Sequence, residues 1–154
     1  MVLLSTGCGG SLISSKHVLT AAHCVLDVSV SSMSVTLGVH DTENPNPSSK
    51  TVKVLTTHMH KDWQNFISLG GDIAILTLAT PVKFNKIMSP VCLPAGDKRT
   101  YLGRKATVAG WGLMADPGRY PNKLQEVDLQ TNKQCPSRVL DISVDSKYAP
   151  LKRF

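Results

Sequence analysis

An all-β fold is predicted, on three observations. Short runs rich in Val, Ile, Leu and Thr recur along the 154 residues, clusters of Gly, Pro, Asn and Ser separate them, and no long helical periodicity interrupts the series. With 42% hydrophobic and 18% charged residues the composition is that of an ordinary globular chain. Its length suggests about one domain able to bury a real core.

The predicted strands follow in order as Val2–Ser5, Gly10–Ile13, Val18–Thr20, Ser34–Val39, Thr51–His58 and Ile73–Ala79. Their separators carry turn chemistry: Ser14-Ser15-Lys16, the loop Asn44-Pro45-Asn46-Pro47-Ser48, the pair Gly70-Gly71, and Thr80-Pro81 after the last run. Six such strands are expected to close into a small barrel, because closure removes the unpaired edges that invite association. Beyond a connector holding Pro90-Val91-Cys92-Leu93-Pro94 come two more candidates, Lys105–Gly110 and Leu124–Gln130. Two strands do not complete a second barrel, and Pro136–Phe154 has weak periodicity and receives no predicted structure.

The formal charge of +6 is spread along the chain, and with 5% aromatic residues there is no basic stripe interleaved with stacking side chains. A solvated surface is the expected reading, and no nucleic-acid role is assigned. No segment approaches the ~18 apolar residues that a spanning helix needs, and Met1-Val2-Leu3-Leu4 is too short for a signal peptide, so no membrane role is assigned. The cysteines Cys8, Cys24, Cys92 and Cys135 form no Cys-x-x-Cys pair. Disulfide use in an oxidising, extracellular setting is therefore expected, with the connectivity open at this point.

Chemistry concentrates between Cys8 and Cys24. His23 follows a predicted strand, on a turn for which Thr20 is the expected N-cap and Ala21 and Ala22 are good helix formers. Asp72 sits between Gly71 and an apolar run. By itself it reads as a turn aspartate; with His23 it reads as a carboxylate that could hold the ring N–H and stabilise an imidazolium.

The segments Cys8-Gly-Gly-Ser-Leu-Ile13, Leu19-Thr-Ala-Ala-His23-Cys24, Gly71-Asp72-Ile-Ala-Ile-Leu76, Val91-Cys92-Leu-Pro94 and Ala109-Gly-Trp111-Gly112 resemble, in this order, the trypsin/chymotrypsin family of serine proteases. The resemblance covers roughly residues 1–135 and implies a double β-barrel in which the first six-stranded barrel is essentially present and the second incomplete. Residues 1–95 would form the first barrel, 96–135 the start of the second, and 136–154 an unassigned tail. It further implies that His23 is the general base, Asp72 its orienting carboxylate, and Cys8–Cys24 a disulfide beside them. Cys92 matches a cysteine that ties the catalytic domain to an upstream pro-segment, and Cys135 one that pairs later in the second barrel. Both are expected to be unpaired in this chain.

The departures bear on activity. In the family's His, Asp, Ser order roughly 90 residues separate aspartate from serine, more than follow Asp72 in this sequence. No Gly-Asp-Ser-Gly-Gly occurs, and Ser137, Ser143 and Ser146 lack the flanking glycines of an oxyanion loop, so none is taken as the nucleophile. Nor does the Ile-Val-Gly-Gly start of cleaved relatives occur. The expectation is a fragment of a serine endopeptidase, truncated before its serine, that acts on protein or peptide substrates in complete form and is inactive alone; the alternative is a genuine non-catalytic binding module. No cofactor is implied. His58-x-His60 with His40 offers too few ligands for zinc and the Asp41–Asn46 loop with Glu43 too few for calcium, so neither site is assigned.

Overall fold

Alternation of side chains along each strand decides what fills the molecule. The computed structural model describes residues 1–63, 70–94, 101–114 and 118–131. Strands β1 (Val2–Leu4), β2 (Gly9–Leu12), β3 (His17–Thr20), β4 (Ser34–Leu37), β5 (Lys50–Met59) and β6 (Ala74–Leu78) close into a six-stranded antiparallel barrel in the order β1-β2-β3-β6-β5-β4. Every other residue of β1, β4 and β6 points inward: Val2 and Leu4, Val35 and Leu37, and Ala74, Leu76 and Leu78 are all buried. Leu12, Val18 and Met33 complete the densest part of the core. Each buried Val, Leu or Met side chain contributes about 1.5–3 kcal/mol by leaving water.

Register follows from that pattern, because slipping one residue would turn a whole buried set outward. Thus Val2 pairs with Leu37 and Leu4 with Val35, while Val18 pairs with Leu76 and Thr20 with Ala74. The exception lies in β5. Val52 and Val54 are buried, but the register with β6 shifts between Val54 and Thr56, so that Thr56 faces outward together with Leu55, which is 60% exposed. A bulge of this kind changes the phase of alternation and sharpens the local twist, helping a short strand set to close.

Strands β7 (Lys105–Gly110) and β8 (Gln125–Gln130) form a separate two-stranded antiparallel sheet, paired from Lys105–Gln130 to Gly110–Gln125. Of their side chains only Val127 is buried. The sheet meets the barrel along the segment after β4. Trp111 Nε1 donates to the His40 carbonyl at 3.1 Å, the Leu124 N–H donates to the same oxygen at 2.8 Å, and the Thr42 N–H donates to the Asn122 carbonyl at 2.8 Å. The partly buried indole thus satisfies its N–H at the junction.

The observed strands agree with the sequence expectation to within a residue or two at their ends. Thr20 does not act as the expected N-cap. It remains in β3, and its hydroxyl donates to the Gly9 carbonyl at 2.9 Å, because pairing with Ala74 holds it in extended backbone.

Candidate active site

Pairing of Thr20 with Ala74 brings together the chain just beyond β3 and the chain just before β6. His23 lies on the first and Asp72 on the second. After β3 the backbone turns tightly: the Cys24 and Val25 N–H groups donate to the Ala21 and Ala22 carbonyls, and Leu26 N–H also reaches Ala22. Ala22, Cys24 and Val25 are buried, so the same turn projects His23 outward, with 47% of its side chain exposed. Asp27, at φ 56°, leaves the turn in the left-handed region that aspartate tolerates better than most residues.

Asp72 is aimed by its two glycines. Gly70 and Gly71 both have positive φ, and a Cβ on Gly71 would lie 2.9 Å from backbone atoms of Asp62 and Trp63. Only glycine fits there without displacing the backbone. A hydrogen bond from the Ile73 N–H to the Gly71 carbonyl, 2.7 Å, closes a three-residue turn with Asp72 at its centre.

Both carboxylate oxygens of Asp72 then serve one residue. Oδ1 accepts the backbone N–H of His23 at 2.8 Å and Oδ2 accepts ring Nδ1 at 2.7 Å. Because an ionised carboxylate only accepts, the ring proton of neutral His23 sits on Nδ1 and the lone pair on Nε2. Partial burial acts to raise the pKa of Asp72, but the bonds from the His23 backbone and ring, the charge of His23 and a backbone bond from Ala22 outweigh it and hold its carboxyl below the usual value of 3.8. Asp72 therefore stays ionised as the ring takes up a proton. The pair can take up and return a proton at Nε2.

Cys8 and Cys24 are joined by a disulfide that ties the turn between β1 and β2 to the turn carrying His23. Its effect is to fix backbone, with about 3 kcal/mol expected from loop closure. Cys24 Sγ lies 3.4 Å from His23 Nε2. Among the described residues no serine hydroxyl is bonded to Nε2. Cys92 is exposed and free, whereas Cys135, Ser137, Ser143 and Ser146 lie outside the described residues.

Two side chains of the zinc and calcium readings, His60 and Asp41, have other partners. His60 Nδ1 accepts the Asp62 N–H at 3.2 Å, and the His40 carbonyl bonds Trp111 and Leu124. Asp41 Oδ1 accepts the N–H groups of Glu43 and Asn44, which makes the residue a turn-former. Three features escaped sequence reasoning: the second bond of Asp72 to the His23 backbone, the Gly71 contact, and the Trp111–His40 junction. Only the first two had a signal, the glycine pair immediately before an aspartate.

The fold is that of a known class. The family model described as Trypsin matches residues 1–149, and the chain belongs to that family of trypsin-like serine proteases. It is 35% identical over 138 residues to ovochymase-2 of Mus musculus, covering 88% of this chain and 23% of that protein. It is 36% identical over 132 residues to granzyme B(G,H) of Mus musculus, covering 84% of this chain and 51% of the relative. The solved structure described as "Structure of GrC" superposes with a TM-score of 0.73 at 34% identity, over 82% of this chain and 53% of that one. The chain thus spans about half the length, or less, of these relatives.

Proposed function

We propose that these residues supply the general-base half of a serine endopeptidase. His23 would remove the proton of an attacking serine hydroxyl through Nε2 and return it to the leaving amine, while Asp72 keeps the ring in the Nδ1–H form and stabilises the imidazolium. The observation that carries this reading is the Asp72 carboxylate spanning the backbone and ring of His23, on a side chain that is 47% exposed. The substrates would be proteins or peptides, and the disulfide suits an extracellular, oxidising compartment. Among the described residues no helix is long and apolar enough to cross a membrane. An upstream pro-segment tied through exposed Cys92 belongs to the same reading.

The 154 residues contain no serine in a Gly-Asp-Ser-Gly-Gly setting. Without that hydroxyl and its oxyanion donors they are expected to form no acyl-enzyme. The same observation favours a second reading, a protease-like module that binds a partner without catalysis. Treating the purified 154-residue protein with a fluorophosphonate probe tests the first point: no covalent labelling is expected, and stoichiometric labelling would refute it. Coding sequence continuing past Phe154 into Gly-Asp-Ser-Gly-Gly would support the peptidase reading; a stop codon in that position would support the module.

A further inference from the structure

Cys8 Sγ, Cys24 Sγ and a ring nitrogen of His23 lie within 4.8 Å of one another, and Nε2 stands 3.4 Å from Cys24 Sγ. While the sulfurs are bonded to each other they offer no thiolate. The third donor, Nε2, carries a lone pair in place of a proton because the ring proton is on Nδ1, held by Asp72 at 2.7 Å. A carboxylate behind a histidine, with the far nitrogen free, is the arrangement that orients histidine ligands toward zinc.

We propose that reduction of the Cys8–Cys24 disulfide by a dithiol converts this centre into a zinc site formed by Cys8 Sγ, Cys24 Sγ and His23 Nε2, with the fourth position open. A thiolate of the reductant attacks Cys8 Sγ, on the less buried cysteine, giving a mixed disulfide and releasing the Cys24 sulfur as thiolate. The second thiol of the reductant then releases Cys8, so that two electrons pass to the protein and the reductant leaves as its disulfide. Zinc next binds both sulfurs, and the protons they carried pass to solvent.

The dimensions suit the ion. Bonds of about 2.3 Å to sulfur and about 2.0–2.1 Å to nitrogen in a tetrahedron give edges of roughly 3.6 Å between nitrogen and sulfur and roughly 3.8 Å between sulfurs. Nε2 and Cys24 Sγ already stand 3.4 Å apart. The sulfurs must separate, and a Cα–Cα distance of 6.0 Å leaves room for this by side-chain rotation alone. Two thiolates and an imidazole select a borderline-soft ion such as zinc over calcium or magnesium. Cys24 is buried while His23 is 47% exposed, so the ion enters from the imidazole side and the open position faces solvent. Once bound, zinc occupies the lone pair that would otherwise accept a proton. The proposal does not depend on the peptidase reading, since it uses no serine.

The test uses the full chain carrying Cys92→Ser and Cys135→Ser, so that the only thiols are those of Cys8 and Cys24. After dithiol reduction and anaerobic removal of the reductant, Co2+ is titrated as the spectroscopic probe. One equivalent should produce thiolate-to-cobalt charge-transfer absorption of a tetrahedral site, abolished by one equivalent of Zn2+ and absent from the oxidised chain. Asp72→Asn should weaken binding about 10–100-fold, and His23→Ala should weaken it more. If reduction melts the barrel, Zn2+ should restore its β-sheet circular dichroism. No charge-transfer absorption, equal affinity in His23→Ala, or a melted chain that zinc does not restore would each overturn the proposal.

Discussion

The barrel and the β7–β8 sheet are both built from antiparallel strands, yet they stand at opposite ends of what such pairing can achieve. In the barrel each strand has a partner on both sides and every strand contributes buried residues, with Leu4, Leu12, Leu37, Leu76 and Leu78 almost fully removed from water. Among the described residues the sheet pairs one edge of each strand, buries Val127, and is anchored by Trp111 and backbone bonds around His40. It relies more on surface polar contacts, such as Lys105 Nζ to Asp128 Oδ2 at 2.7 Å. Exposed pairs of this kind contribute little, about 0–1 kcal/mol. The difference shows why His23 and Asp72 hold their places: both flank strands of the closed barrel, so the geometry of the pair does not depend on the sheet.

The strongest way to break this contrast is to hollow the barrel. Leu76 is fully buried on β6 between β3 and β5, and Leu76→Ala should cost about 2–5 kcal/mol. Urea unfolding followed by circular dichroism reads the loss; a shift below about 1 kcal/mol would show that the barrel is not the main source of stability. Gly71→Ala strikes the site through the backbone. At φ +74° and with 2.9 Å approaches to Asp62 and Trp63, it should cost about 1–3 kcal/mol and displace Asp72, which loss of the His23 Nδ1–H resonance would report.

Smaller effects separate the two regions. Trp111→Phe removes the bond to the His40 carbonyl, a change of about 0.5–1.5 kcal/mol. Amide exchange should quicken in β7 and β8 and stay unchanged in β3 and β6; equal acceleration throughout would mean that the two regions unfold as one. The smallest effect is that of pH. The carboxyl of Asp72 has a lower value folded than unfolded, so its contribution is fully present above about pH 4 and lost as pH falls through the folded value. Asp72→Asn should flatten stability in that acid window, and an unchanged acid profile would count against the bond network.

Much of this was legible from residue order. Lys105–Gly110 was predicted with the observed bounds, and the barrel strands were marked by their β-branched runs between turn residues. The bulge at Leu55 was not legible, since a phase change within a run of Val, Leu and Thr leaves no compositional mark. Thr20 misled because its local preference for capping was overruled by pairing with Ala74. The family motifs pointed to His23 and Asp72. That both oxygens of one carboxylate serve a single histidine is a matter of tertiary geometry, set by Gly71 and the β3–β6 register.

The chemistry of the site rests on Asp72 holding His23 as the Nδ1–H form, with Nε2 unprotonated. Nitrogen-15 correlation spectra of the histidine rings test it most directly, at a pH where the ring is neutral. A strongly downfield proton on His23 Nδ1, lost in Asp72→Ala, with an unprotonated Nε2, is the predicted result. A proton found on Nε2, or an Nδ1 signal indifferent to Asp72→Ala, would contradict it.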